Sequence, residues 1–347
     1  MNGKRFMAYM LLAGALALAE ETKGLCQVFG ELAVKGTARS ADARLQREND
    51  SLRMVIARLE ADSYYSTWRG LEGLETEERL NGVPIMSLAS STTDDAYMKQ
   101  ILPVGSIFQH VGYDPSIRAA VEFYSVARHR SMGSILARYD FFYPVLQNIF
   151  RHYGVPDELI GLCIVESAVS RTAYSKAGAA GMWQFMPATA GDYGLRVNEH
   201  IDERYDMILS AHAAAKYLKD LRRILGGWDM AVLAYNCGPE RLRQAVIKSG
   251  RSENLWDVVR LLPKETQAYL PSLLAANYTS AHRTELEIPK KEWKEARTAA
   301  VIYRGTTLQK ISEETGYNLD YLKKINPQLL DGVIPDEGAG VYLPEKK

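Results

Sequence analysis

The sequence predicts a mainly α-helical protein that ends in a small β-α-α-β segment. Between about 114 and 281, apolar residues recur at helical spacing, and helix start and stop signals separate the runs. Strand-like runs are nearly absent until Val301–Tyr303 and Val341–Pro344, which flank two short helical patterns. A chain of 347 residues exceeds one ordinary domain. We therefore expect a main helical domain with accessory segments.

The N-terminus has the pattern of a secretory signal. Lys4 and Arg5 precede an apolar run over 6–19 that ends in Ala-Leu-Ala before two acidic residues. A basic start, a short apolar core and a small-x-small cleavage site are typical of signal peptides, and the run is too short for a comfortable membrane span. We expect residues 1–19 to be removed. The remainder should be exported to the periplasm or cell envelope, with no integral membrane span.

Residues 20–95 are predicted to form a helical segment followed by a linker. Three leucines repeat at heptad spacing: Leu45, Leu52 and Leu59. A short coiled coil over 38–65, giving a weak homodimer, is one interpretation. With so few heptads, a helix packed on the body is at least as well supported. From Gly70 to Asp95, a Gly-Val-Pro sequence and a Ser/Thr run favour an extended linker.

Residues 96–290 are predicted to be the helical body. Asp114-Pro115 is the first strong helix-start signal, and a second helix follows Arg128–Arg130. Pro156, with two acids after it, starts the next helix. Five further helices are predicted: one that begins at Pro187 and ends over Asp192–Leu195, and others over Met207–Leu225, Trp228–Tyr235, Arg241–Lys248 and Lys264–Ala281.

Composition and spacing argue against several classes of function. Lys and Arg together number 42, and Asp and Glu also 42, so no basic excess supports a nucleic-acid partner. The six histidines show no metal-ligand spacing, and no phosphate-binding Gly-Lys loop is present. We therefore expect neither a metal nor a cofactor. Cys163 and Cys237 lie in apolar runs and are best interpreted as buried thiols, with a disulfide between them as the less favoured alternative.

The chemistry is expected around Glu166. An apolar run, Gly161–Val165, delivers this acid at its end. Such a position desolvates a carboxyl group, raises its pKa and suits it to act as a general acid near neutral pH. A buried acid with a structural partner is the ordinary alternative.

A Gly/Ala-rich loop follows the acid and ends in residues suited to a sugar. Little side chain over 177–181 would let a ligand approach the backbone closely. Trp183, Gln184 and Met186 then combine flat apolar and amide groups that can cover a sugar face and bond to its hydroxyl or N-acetyl groups. Trp183 and Met186 could equally be core residues.

Taken together, these motifs resemble the signature of the lysozyme-like lytic transglycosylases, most closely the lytic murein transglycosylase D branch. The resemblance runs from about Phe141 to about Thr284. It is carried by these residues in order: Glu166-Ser167, Ser175-x-x-Gly178-Ala-Ala-Gly181-x-Trp183-Gln184-Phe-Met-Pro-x-Thr189, and Ala234-Tyr235-Asn236-x-Gly238.

The resemblance implies a lysozyme-like all-α domain over 96–290 that acts on peptidoglycan glycan strands. Its expected reaction cleaves the β-1,4 bond between N-acetylmuramic acid and N-acetylglucosamine and forms a 1,6-anhydro end. Glu166 would act first as acid and then as base. The residues expected to line the cleft are Ser175, Gln184, Tyr235, Asn236 and Tyr269. As alternatives, the two tyrosines could be half-buried core residues and Asn236 a helix C-cap.

A single acid suits a nucleophile that belongs to the substrate, whereas ordinary glycosidases use two carboxylates. A hydrolase stays open if one of the acids over 192–206, or Glu240, folds over the cleft. These acids are crowded with arginines, so we expect them to form a solvated ion-pair surface instead. A non-catalytic cell-wall-binding protein is the third hypothesis, and the presence of Glu166 argues against it.

The tail, residues 297–345, resembles a LysM module, which binds glycans containing N-acetylglucosamine. Thr306 stands where such modules usually carry an acidic residue. Glycan binding and a small packing module therefore both remain as interpretations.

Overall fold

The computed structural model describes residues 94–293, 295 and 298–344. All of them fall within one compact unit of the chain. The predicted signal peptide, the heptad segment 38–65 and nearly all of the predicted linker lie outside the described residues.

The described chain is mainly helical up to residue 281. The α-helices are α1 Asp94–Ile101, α2 Pro115–Glu122, α3 His129–His152, α4 Leu162–Ser167, α5 Pro187–Asp192, α6 Met207–Leu225, α7 Trp228–Cys237, α8 Pro239–Lys248, α9 Leu255–Val259, α10 Lys264–Gln267 and α11 Tyr269–Ala281. A π-helix, Phe123–Ala127, follows α2, and 3₁₀ turns occupy Asp157–Gly161 and Glu203–Tyr205.

Helix α11 lies at the centre of the body. It packs against α2, α4 and α7, while α6 packs against α3 and α7. Helix α11 contains no charged residue, and most of its residues are buried, as expected of a helix surrounded by others. The short helix that carries Glu166 is therefore held against the middle of the core.

Helix boundaries follow the predicted signals. The Asp114 carboxylate accepts the backbone N–H of Ser116 at 3.0 Å and caps α2. Asp206 caps α6 in the same way, and Gly226, with φ 88°, ends it. These contacts confirm the predicted helix over Met207–Leu225.

Two helix predictions need correction. The single helix predicted over Lys264–Ala281 is two helices separated by a turn at Ala268, because Pro271 has no N–H to donate to the Gln267 carbonyl. The helix predicted to start at Pro156 opens instead as a 3₁₀ turn before α4.

Residues 298–344, named here the C-terminal module, contain two small antiparallel sheets and two helices. Strand β1 Thr298–Tyr303 pairs with β4 Ala339–Pro344, with Val301 opposite Val341. Strand β2 Thr306–Thr307 pairs with β3 Val333–Ile334. Helices α12 Leu308–Thr315 and α13 Leu319–Ile325 lie between β2 and β3 in sequence. The predicted β-α-α-β order is confirmed, with β2 and β3 as an additional short pair.

Within the ranges described, no helix combines the length and apolar character needed to cross a membrane.

Candidate active site

Helix α4 places Glu166 one residue before its own end. Leu162, Cys163 and Ile164 are fully buried and anchor the helix in the core. The chain then turns through two consecutive non-glycine residues with positive φ, Ala168 at 53° and Val169 at 62°. This conformation is unfavourable for residues that carry a Cβ, and such strain often collects at functional sites.

Arg138, on α3, holds this strained turn in place. Its guanidinium donates two hydrogen bonds to the Ala168 carbonyl, at 2.7 and 3.2 Å. The Val169 N–H closes the turn on the Cys163 carbonyl at 2.9 Å. Arg138 carries no signal in the sequence, because no local pattern links it to a turn thirty residues away.

The surroundings of the Glu166 carboxyl group suit it to act as a general acid. Burial raises its pKa to about 7, and the charge of nearby Glu265 adds to the increase. The Tyr269 hydroxyl donates a hydrogen bond to Glu166 Oε1, and this bond partly opposes the rise in pKa. A carboxyl group with this pKa carries a proton for a substantial fraction of the time at neutral pH, as a general acid requires.

Two more tyrosines lie close to this carboxyl group. The charge of Glu166 is among the causes that raise the pKa values of Tyr235 and Tyr124, after burial. The Tyr235 hydroxyl donates to the Trp183 carbonyl at 2.9 Å. Tyr124 comes from the π-helix, an element that is frequent at functional sites. In the sequence it looked like an ordinary apolar helix position, so it was missed.

The Gly/Ala loop, defined here as residues 173–186, is a tight network of its own hydrogen bonds. Ser175 accepts the Ala179 N–H on its hydroxyl at 2.9 Å. Gln184 has φ 50° and donates its amide to the Gly181 carbonyl at 2.8 Å. Both predicted cleft residues therefore use polar groups to fix the loop's shape.

Trp183 does not fit its predicted role in contacting sugar. Its side chain is 0% exposed, and its ring stacks on Phe150 with centroids 5.1 Å apart. The core interpretation is correct for this residue, because the ring is enclosed by the body. Met186 is 43% exposed and so is available to a ligand.

Asn236 lies in the last turn of α7, where its side-chain oxygen accepts the Thr266 hydroxyl at 2.7 Å. The alternative role of C-cap falls to Gly238 instead. Through Thr266, Asn236 is tied to α10, the helix directly before Tyr269. Ser167, also not predicted as a site residue, donates its hydroxyl to the Met182 carbonyl at 2.9 Å and joins α4 to the loop.

Of the six acids expected to form a solvated ion-pair surface, three are exposed, namely Asp192, Glu199 and Glu240, and three are buried instead, namely Asp202, Glu203 and Asp206. Asp202 pairs with Arg204, and Glu203 with Arg196. Asp206 caps α6 and accepts the Tyr342 hydroxyl at 2.8 Å. These bonds hold the three carboxylates in structural pairs.

Cys163 and Cys237 are both free thiols, so the less favoured disulfide is absent. Over the described ranges, no cluster of three or more His, Cys, Asp or Glu side chains is arranged to hold a metal ion.

Part of the chain that holds the candidate site is similar to a known domain. Residues 146–256 match the model of the transglycosylase SLT domain. Glu166, the Gly/Ala loop and Asn236 all lie within this matched range. Outside the matched range lie three residues near the Glu166 end of α4, namely Tyr124, Arg138 and Tyr269. The candidate site therefore also includes residues from helices before and after the matched range.

The chain is similar to the membrane-bound lytic murein transglycosylase D of Escherichia coli K12, with 31% identity over 202 residues. That match covers 56% of this chain and 44% of the relative, so the chain spans less than half of that protein's length. The peptidoglycan transglycosylase gp16 of Escherichia phage T7 is 46% identical over 79 residues, which are 22% of this chain and 6% of that protein. Among solved structures, lytic transglycosylase Slt of Pseudomonas aeruginosa matches with 22% identity and a TM-score of 0.34, over 43% of this chain and 25% of that one.

Proposed function

We propose that this protein is a peptidoglycan lytic transglycosylase of the cell envelope. Its reaction cleaves the β-1,4 bond between N-acetylmuramic acid and N-acetylglucosamine and leaves a 1,6-anhydro end. The observation that carries the proposal is the environment of Glu166, a desolvated carboxyl group with pKa near 7 bonded to Tyr269, inside an SLT domain.

The first step uses the protonated form of Glu166. Its proton passes to the glycosidic oxygen as the bond from that oxygen to the anomeric carbon breaks, which releases the N-acetylglucosamine side with a new hydroxyl. The anomeric carbon is left electron-deficient. The Tyr269 hydroxyl bond fixes the direction in which the Glu166 carboxyl group points.

The second step uses the carboxylate that the first step leaves. The C6 hydroxyl of the same muramic acid attacks its anomeric carbon, and Glu166 takes the hydroxyl proton. This returns the acid to its starting form, with no water consumed. Because the nucleophile is tethered, the attack has little translational entropy to lose.

A hydrolase is the second candidate, and Glu265 favours it specifically. This exposed acid is near enough to raise the pKa of Glu166. In a hydrolase it would act as the base for an attacking water. The three acids paired or bonded near α6 are already used by other partners, so Glu265 is the carboxylate to test.

Mass spectrometry of muropeptides released from purified peptidoglycan distinguishes the candidates. Ends one water lighter than reducing ends would support the transglycosylase, and reducing ends that vanish in Glu265→Gln would support the hydrolase. Pull-down of the polymer without any release would overturn both and leave a binding protein. Glu240→Gln, on the exposed face of α8, is the matched control.

A further inference from the structure

The Arg204 guanidinium is buried beneath the Gly/Ala loop. Its side chain is 5% exposed. Nη1 donates to the Gly178 carbonyl at 2.7 Å and to the Phe185 carbonyl at 3.1 Å. One side chain therefore joins the two arms of the loop that carries Ser175 and Gln184.

Asp202 holds this guanidinium in one orientation. Its carboxylate accepts from Arg204 Nε at 2.9 Å and from Nη2 at 2.6 Å. A two-point pair of this kind fixes geometry as well as charge. Burying a charged side chain costs free energy unless the charge is paired and its hydrogen-bonding groups all have partners.

The backbone of the same turn also contacts the loop. Gly181 has φ 80°, and a Cβ added there would lie 1.8 Å from the Arg204 carbonyl oxygen. Side chain and main chain at Arg204 thus support the loop at three of its residues.

The turn that contains Asp202 and Arg204 also contacts the C-terminal module. The Asp202 N–H donates to the Gln328 carbonyl, and the Leu330 N–H donates to the His200 carbonyl, both at 2.9 Å. Asp202 thus binds Arg204 through its carboxylate and the module through its backbone N–H.

Side chains add to this attachment. Tyr342 donates to Asp206 at 2.8 Å, and Asp331 pairs with His200 at 2.7 Å. Arg196 reaches the Gly338 carbonyl at 2.9 Å. We name residues 196–206 the bridging segment, because they contact both the module and the loop.

We propose that Asp202 and Arg204 are positioning residues for the Gly/Ala loop, and that the C-terminal module keeps them in place by docking on the bridging segment. The kinetic part rests on the proposed transglycosylase function. Neither residue touches the reacting atoms. Their effect is exerted through the loop's carbonyl positions, and hence through the sugar-facing side of the cleft.

Hydrogen–deuterium exchange of the full chain tests the positioning without any substrate. Arg204→Lys keeps the positive charge but offers no planar fork, so exchange over 173–186 should become about tenfold faster. The double variant Asp202→Asn with Arg204→Gln leaves no unpaired charge, and serves if the single variant does not fold. Arg223→Gln, a 76% exposed arginine at the end of α6, should leave the loop unchanged.

A second pair of substitutions tests the role of the module. Asp331→Asn with Tyr342→Phe removes the His200 ion pair and the Asp206 hydrogen bond. Faster exchange in the module, the bridging segment and the loop together is the expected result. Faster exchange in the module alone would overturn the coupling.

Kinetics on soluble glycan fragments complete the test. Arg204→Lys should raise KM and lower kcat/KM by about ten- to a hundredfold, as small misplacements of binding groups do. A fall in kcat at unchanged KM would mean only that less enzyme is folded. If the wild-type chain releases no product, the proposed function fails, whereas the exchange result still decides the positioning.

Discussion

The Glu166 carboxyl group experiences opposing influences from its neighbours. Burial and the charge of Glu265 favour its protonated form, whereas the Tyr269 hydroxyl favours the carboxylate. The balance leaves the pKa at about 7, well above the ordinary value of 4.5 for a glutamate. The group can therefore both give and take a proton at neutral pH.

This balance predicts the pH dependence of the reaction. The first step needs protonated Glu166, so kcat/KM should fall as pH rises through about 7. Initial rates of product release between pH 5 and 9 would measure the descending limb. A rate that stays constant up to pH 9 would mean that another group donates the proton.

Tyr269→Phe should move that limb to higher pH. The substitution removes the hydroxyl bond that lowers the pKa of Glu166, so the acid would hold its proton longer. The rate below pH 6 should also drop, because the carboxyl group loses its orientation. Tyr193→Phe is a suitable control, since that hydroxyl bonds to Asp220 instead. An unshifted limb in Tyr269→Phe would contradict the assigned contact.

Glu166→Gln should abolish activity and, at alkaline pH, stabilise the fold. A carboxyl group whose pKa is raised in the folded state contributes stability below its unfolded pKa and loses it as pH rises through about 7. The neutral amide avoids this loss, so the variant should gain up to about 3 kcal/mol over wild type at pH 8, and little at pH 4. Urea unfolding at both pH values measures the difference, with Glu240→Gln as the control that should show none.

Sequence motifs located the acid and Tyr269 but could not find Tyr124 or Arg138. Glu166 belongs to the ordered motifs given above, and Tyr269 to a further motif of fixed spacing, Glu265-Thr266-x-x-Tyr269. Tyr124 reaches the site because a π-helix interrupts the periodicity after α2, and Arg138 because a distant helix packs on the Ala168 turn. Both facts depend on tertiary packing. The burial of Trp183 also depends on tertiary packing, so the sequence did not predict it.

At the scale of elements, Gly181 is the position where the Gly/Ala loop tolerates no side chain. Gly181→Ala would add a Cβ 1.8 Å from the Arg204 carbonyl at φ 80°, so the loop or the bridging segment must move. We expect a loss of stability above about 1 kcal/mol and a large fall in activity. Gly191→Ala is the matched control, because its Cβ would meet nothing within 4 Å.

The two alanine variants should change the stability of the protein in opposite directions. Gly191 lies in α5, where alanine reduces the entropy of the unfolded chain and stabilises by up to about 1 kcal/mol. Thermal unfolding of the two variants side by side gives the comparison. Equal melting temperatures would mean that the loop has room to relax away from Arg204.

Helix ends were predictable wherever a cap or a left-handed glycine marks them, as at Asp206 and Gly226. The break at Ala268 was marked too, by Pro271, which has no N–H to donate to the Gln267 carbonyl and whose ring disfavours a continuous helix through the preceding turn.

At the scale of the whole molecule, the sequence suggested a separate tail, whereas the structure joins the C-terminal module to the body through the bridging segment. Calorimetry of the full chain should therefore show body and module unfolding in one transition. Tyr342→Phe removes a bond between them, and Tyr317→Phe removes a bond inside the module, from its hydroxyl to the Pro344 carbonyl. If the two parts unfold together, both variants lower the same transition by a few degrees, since each loses about 1 kcal/mol. A separate early transition that only Tyr317→Phe shifts would mean that the module unfolds independently, and its contacts with Asp202 and Asp206 would then be too weak to hold the loop.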